Sequence, residues 1–203
     1  MSGIDLADAL QILRAARGAG DVVISTMGAA REWMAAGPAH PLDWVLVPSS
    51  MGQATALGLG LALARPDRRI IVLNGDGGLL MNLGSLVTIS GCAPPNLIVL
   101  LFDNGVYEIT GAQPTPSAPG SRVRGDAVDF LALARAAGLR STFRFGTLAE
   151  WRAELPALLR ARGPTFAVLD TAPVPNATGP RSPGPAPERA RAFMAALDAA
   201  RAP

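Results

Sequence analysis

The chain has 203 residues, 49% hydrophobic and 5% aromatic, with a formal net charge of +2, enough for one α/β domain with a sizeable core and short for two. No basic block interleaved with aromatics occurs, which argues against nucleic-acid binding, and the single Cys92 excludes an internal disulfide or a cysteine-based metal or iron–sulfur site. No charged-then-apolar leader opens the chain and no apolar run is long enough to span a bilayer, so a cytoplasmic protein without membrane contact is expected.

In chain order, Leu6, Leu10 and Leu13 recur at helical spacing up to Gly18 and Gly20. A buried strand follows at 21–25, then a helix from Gly28 to Ala36 and a second strand at 43–47. Ser50 and Gln53 stand at capping-box spacing before a helix over 50–64. The run 69–74 reads as a third strand, residues 78–90 as an almost wholly apolar helix, and 96–102 as a fourth strand. Asp126 is placed to cap a helix ending at Gly138, before a fifth strand over 139–145. Thr147 and Glu150 form another capping box, for a helix reaching about Arg162; 164–170 is a sixth strand. The proline-rich stretch 173–187 reads as a connector to a last amphipathic helix. Residues 111–125, rich in Pro, Gly and Ser, read as an irregular loop, and a loop of that length is usually functional or mobile. Alternating helices and continuously apolar strands predict an α/β fold: about six mostly parallel strands with helices on both faces.

In such a sheet, ligands sit beyond the carboxyl ends of the strands. Four of those ends carry small or amide-bearing residues: "STMG" (25–28), "PSSMGQ" (48–53), "NGDGG" (74–78) and "DNGVYEITG" (103–111). Gly77 and Gly78 lead into a helix N-terminus, where free N–H groups and the helix dipole favour a phosphate. An acid beside a phosphate repels it unless a cation lies between them. Asp76 and Asn104 offer hard oxygen ligands of the kind Mg²⁺ or Ca²⁺ takes.

Gly75-Asp76-Gly77, a gap of 26 residues and Asn104 resemble the cofactor motif of the thiamine-diphosphate-dependent enzymes. The segments "SSMGQATALGLGLALARPDRRIIVLNGDGGLLMNLGSLVTI" and "LFDNGVYEITGAQPT" resemble the phosphonopyruvate and sulfopyruvate decarboxylases, and the likeness covers about residues 20–175. Asp103 stands where the motif often has a second Asn.

The resemblance implies a three-layer thiamine-diphosphate-binding fold, with 1–172 as the diphosphate-binding domain. Residues 173–203 then form a connector and C-terminal helix, packed on the same domain or on a partner. Asp76, the Asn104 side-chain oxygen and the Val106 carbonyl would hold Mg²⁺. Gly28, Gly77 and Gly78 would present backbone N–H groups to the diphosphate, with Gly75 and Tyr107 in the same cofactor set. The Ser49 carbonyl would accept from the pyrimidine amino group, and Met51 would wedge the two cofactor rings. Ala29 and Ala30 supply no hydroxyl where relatives have one. Thr110 and Gln113 are placed for substrate, and Arg122 and Arg124 for an anionic head group.

No catalytic acid is assigned within this chain. Glu108 reads equally as a solvated or capping residue, and His40, the only histidine, as a loop residue away from the GDG edge. The glutamate that activates the pyrimidine is expected on a pyrimidine-binding α partner. The implied assembly is a heteromer, α2β2 or larger, that decarboxylates a small 2-oxo acid, with this chain as the β subunit. A subunit of an acetolactate-synthase-type carboligase, or a non-catalytic cofactor-binding subunit, would use the same residues. An oxo-acid:ferredoxin oxidoreductase is disfavoured by the single cysteine, and a flavodoxin-like nucleotide binder by the Asn104 spacing.

Overall fold

A computed structural model describes residues 3–48, 51–118 and 127–199. Its frame is a six-stranded, wholly parallel sheet: β1 (Val22–Ser25), β2 (Asp43–Val45), β3 (Ile70–Gly75), β4 (Leu97–Asp103), β7 (Ser141–Phe145) and β8 (Thr165–Asp170), in the order β2-β1-β3-β4-β8-β7. A two-stranded antiparallel hairpin, β5 (Val106–Tyr107) with β6 (Gln113–Pro114), stands apart from it.

Strand side chains point alternately to the two faces, which is why the central strands are apolar along most of their length and turn polar only at their ends. Val22, Ile24, Ile70, Val72, Leu97, Val99 and Leu101 face one core. There they meet α3 (Ala54–Ala64), α4 (Asp76–Leu80), α5 (Gly84–Cys92), α6 (Phe130–Ala136) and α8 (Ala186–Ala199). Val23, Ile71, Leu73, Ile98, Leu100 and Phe102 face the other core, against α1 (Leu6–Ala16), α2 (Met27–Ala35) and α7 (Leu148–Arg160). Three layers result, as the sequence pattern implies. α3 lies close on the sheet because Gly58 has no side chain: a Cβ there would sit 2.3 Å from Val72 Cγ2. Trp151 is fully buried, and its indole N–H donates to the Ala9 carbonyl at 3.0 Å. The C-terminal helix returns to the β2 edge, where Phe193 packs on Trp44 and Arg189 lies over the Trp44 ring.

Local signals held where the caps are local. Thr147 and Glu150 form the reciprocal capping box at the head of α7. Three expectations need correction. α3 begins at Ala54, with Gln53 in the cap position making no side-chain cap, so the Ser50–Gln53 pair does not start it. Asp129, not Asp126, caps α6, accepting from the Leu131 and Ala132 amides. The apolar run 78–90 is two helices, not one. Across 81–83 the backbone closes by i→i+3 bonds, Asn82 to Leu79 and Ser85 to Asn82, which tighten the coil and turn its axis. The Asn82 amide is drawn outward by the Gly52 carbonyl at 3.0 Å. Within the described part of the expected loop, 111–118, the short strand β6 is regular structure. Among the described residues no helix is long and apolar enough to cross a membrane.

Candidate functional site

Consecutive strands β1 and β2 run toward one edge of the sheet, and β3 returns to the other side of β1. That reversal opens a crevice beyond the carboxyl ends of the strands. A cavity fills it, lined from β1 and α2 by Thr26, Met27, Gly28 and Ala29 and from β3 and α4 by Asn74, Gly75, Asp76, Gly77 and Gly78. Phe102, Asn104, Val106, Tyr107, Glu108, Ile109 and Thr110 follow from β4 onward. Met51 and Met81 stand at its rim, each about half exposed (48% and 51%).

Asp76 is the centre of the electrostatics. It is 2% exposed and accepts from the Thr115 hydroxyl at 2.8 Å and the Ser117 hydroxyl at 3.3 Å. Burial pushes its carboxyl up to about 6, although Thr115, Ser117 and the Gly77 N–H pull the other way; the charge of Asp103 adds to the rise. Asp103 is itself pushed up by burial, against the pull of the Ser117 hydroxyl, which donates to it at 2.8 Å. A carboxylate held in this way favours a neighbouring cation. Asn104 turns its Oδ1 to the Val106 N–H at 3.0 Å and its Nδ2 to Glu108 Oε1 at 3.3 Å, which leaves a lone pair on Oδ1. No group of three or more His, Cys, Asp or Glu side chains forms a metal site among the described residues. The expected set is of another kind: one carboxylate, one amide oxygen and one main-chain carbonyl, the hard oxygens Mg²⁺ accepts alongside phosphate oxygens.

The glycines have a packing reason that is visible in the structure. A Cβ on Gly77 would lie 2.7 Å from the Tyr107 ring, one on Gly78 2.5 Å from Asn74 Oδ1, and one on Gly28 2.8 Å from Glu108 Oε2. They let three chain segments close around the cavity. α4 is only five residues long, so few peptide dipoles align in it, and an anion there would rest on individual N–H groups rather than on a macrodipole. One further donor points to an acceptor: Asn74 is fully buried and lines the cavity, and its Nδ2 has no protein partner. A buried carboxylate wanting a cation and an orphan amide wanting an acceptor fit a metal–diphosphate pair.

The structure thus gathers Gly28, Met51, Gly75, Asp76, Gly77, Gly78, Asn104, Val106, Tyr107 and Thr110 around one cavity. Ser49, Arg122 and Arg124 lie outside the described residues. Gln113 is not among the lining residues; its amide is occupied with Thr110. Glu108 is not solvated: its side chain is 7% exposed and paired with Arg31. His40 lies in the turn before β2, beside Arg17. Sequence reading missed Asn74, Thr115 and Ser117. The hydroxyls reach Asp76 from 39 and 41 positions along the chain, and no local spacing announces such a contact. The Asn before GDG was a usable signal, because an amide at the buried end of an apolar strand needs partners.

The profile of the family "Thiamine pyrophosphate enzyme, C-terminal TPP binding domain" matches residues 21–169. Over 124 residues the chain is 42% identical to a phosphonopyruvate decarboxylase of Streptomyces hygroscopicus, covering 61% of this chain and 29% of that protein. It is 40% identical, also over 124 residues, to a sulfopyruvate decarboxylase subunit beta of Methanothermobacter thermautotrophicus, covering 61% of this chain and 60% of that one. The chain therefore spans less than two thirds of these relatives. In fold it is similar to the thiamine diphosphate-dependent 4-hydroxybenzoylformate decarboxylase of Rhodococcus jostii RHA1, with a TM-score of 0.69 and 22% identity over 85% of this chain and 33% of that one.

Proposed function

The chain belongs to the thiamine pyrophosphate enzymes, whose C-terminal TPP-binding domain it carries, and from this we propose that it is the diphosphate-binding β subunit of a thiamine-diphosphate-dependent 2-oxo-acid decarboxylase. The observation that carries the reading is the buried Asp76 carboxylate, sharing one cavity with Asn104, Val106 and the glycines. Similarity to proteins named phosphonopyruvate and sulfopyruvate decarboxylases supports the reaction class.

In this reading Asp76, Asn104 Oδ1 and the Val106 carbonyl hold Mg²⁺. Backbone N–H groups at Gly28, Gly77 and Gly78, with the Asn74 amide, receive the diphosphate. Bound thiamine diphosphate supplies the electron sink for the carbanion left when a 2-oxo acid loses CO₂. Met51, at the cavity rim, would support the rings, and the Ser49 carbonyl would accept from the pyrimidine amino group. Tyr107, lying over Gly77, closes the diphosphate end against water. Thr110, at the mouth, meets the substrate. The groups that move protons at the reacting carbon, and the glutamate that activates the pyrimidine, come from a pyrimidine-domain α partner in an α2β2 or larger assembly in the cytoplasm. The partner's designation follows from the "subunit beta" of the relative's name.

The test is CO₂ release from pyruvate, phosphonopyruvate and sulfopyruvate by this chain with and without a pyrimidine-domain chain. Activity only in the mixture, lost with Asp76→Ala, is expected. Undiminished Mg²⁺-dependent cofactor binding by Asp76→Ala would refute the assignment.

A further inference from the structure

Glu108 lines the cavity, yet the reading above gives it no task. Its carboxylate is a junction. Oε1 accepts from the Asn104 Nδ2 at 3.3 Å and from the Val174 N–H at 2.7 Å. Oε2 accepts from the Arg31 Nη2 at 3.2 Å and presses on the space a Gly28 side chain would need. Arg31 in turn donates through Nη1 to the Thr178 carbonyl at 3.2 Å. One partly buried acid therefore joins α2, the Asn104 turn and the connector after β8.

A side-chain amide can face either way, and only its neighbours decide. A carboxylate accepts and never donates, so Glu108 compels Asn104 to offer it the NH₂ end. The amide oxygen is then turned to the opposite side, toward the Val106 N–H and away from Glu108. A divalent ion can use that oxygen and cannot use the nitrogen. Outer partners of this kind orient metal ligands and tune metal affinity. The same Oε1 holds the Val174 amide, so whatever steadies Asn104 steadies the connector as well.

We propose that Glu108 is a positioning residue that fixes the amide of Asn104 oxygen-first for the metal and latches residues 174–178 beside the cofactor cavity, so that metal binding and connector closure are linked. This deepens the functional reading above and rests on it for the identity of the metal site. Linkage is reciprocal: Mg²⁺ with thiamine diphosphate protects the connector, and loosening the connector side of Glu108 weakens the metal.

The test uses Glu108→Gln, which keeps the shape and removes the acceptor-only character. With its oxygen on Arg31, the new NH₂ faces Asn104 and Val174, and Asn104 turns over. Two quantities are read on the full chain mixed with a pyrimidine-domain chain: the Mg²⁺ midpoint for thiamine diphosphate binding by calorimetric titration, and backbone hydrogen exchange at Val174 without ligand. Glu108→Gln is expected to raise the midpoint by about 10- to 100-fold and to speed exchange at Val174. Thr147→Ala, which removes the α7 capping box and destabilises the fold without touching the cavity, should move neither. A midpoint within twofold of wild type in Glu108→Gln, or unchanged Val174 exchange, overturns the proposal. A wild-type mixture with the pyrimidine-domain chain that shows no Mg²⁺-dependent thiamine diphosphate binding would instead refute the functional reading, before any substitution is made.

Discussion

Replacing Asp76 with Asn should make the metal-free protein more stable while removing its metal. The buried carboxyl titrates near 6 rather than at its ordinary 3.8. That gap corresponds to roughly 3 kcal/mol. Because the folded state binds the proton more tightly than the unfolded chain, it holds more protons between pH 3.8 and 6, and stability falls as pH rises through that window. The full cost of the buried charge stands above pH 6 and vanishes below about 3.8. A carboxamide never ionises, and its oxygen still accepts from Thr115. Asp103, pushed in the same direction by its own burial, is present in both proteins and largely cancels in the difference. Urea unfolding in EDTA should therefore find Asp76→Asn more stable than wild type by about 2–3 kcal/mol at pH 7.5, with the gap closing toward pH 4. Adding Mg²⁺ and thiamine diphosphate should reverse the order, since a ligand at about 1,000 times its Kd adds about 4.1 kcal/mol to wild type alone. An Asn variant no more stable than wild type at pH 7.5, or a gap that does not shrink in acid, would show that Asp76 is not held at the expense of the fold.

Thr115→Val keeps the shape of a fully buried side chain and deletes the 2.8 Å donor to Asp76; unfolding should show a loss of about 1–2 kcal/mol at pH 7.5, and the pH midpoint for Mg²⁺ binding should move upward. Gly58→Ala drives a methyl to within 2.3 Å of Val72 Cγ2, so thermal or urea unfolding should register about 1–3 kcal/mol of destabilisation with no change in Mg²⁺ midpoint. Met51→Ala, at a half-exposed rim position, should leave stability within about 0.5 kcal/mol and lower turnover of the assembled enzyme more than cofactor affinity; equal turnover would refute its wedge role.

What the sequence revealed and what it hid divide along the distance over which each feature is specified. The short, continuously apolar strand runs and the Thr147–Glu150 cap act within a few residues and were legible. The Ser50–Gln53 pair has the same spacing, yet α3 starts at Ala54. The break in 78–90 was hidden because Asn82 answers to a carbonyl 30 positions away. In the site, Gly75–Gly78 and Asn104 were legible because their motif lies along the chain at two strand ends.

The groups that hold those residues in place come from wherever the topology returns the chain. β4 and β8 are neighbours in register, with Asp103 opposite Asp170. The chain leaving β8 at Thr171 therefore starts beside Asn104, and its next residues have to pass Glu108 before reaching α8 at the far edge. The connector's composition reads as a surface tether because proline disfavours regular structure. Its course is set by strand order, which no single stretch of the sequence states. Once the order β3-β4-β8 is known, the meeting of Val174 with Glu108 follows from geometry. A substitution in the connector should then be felt at the metal, though Val174 stands about seventy positions along the chain from Asn104 and nearly a hundred from Asp76.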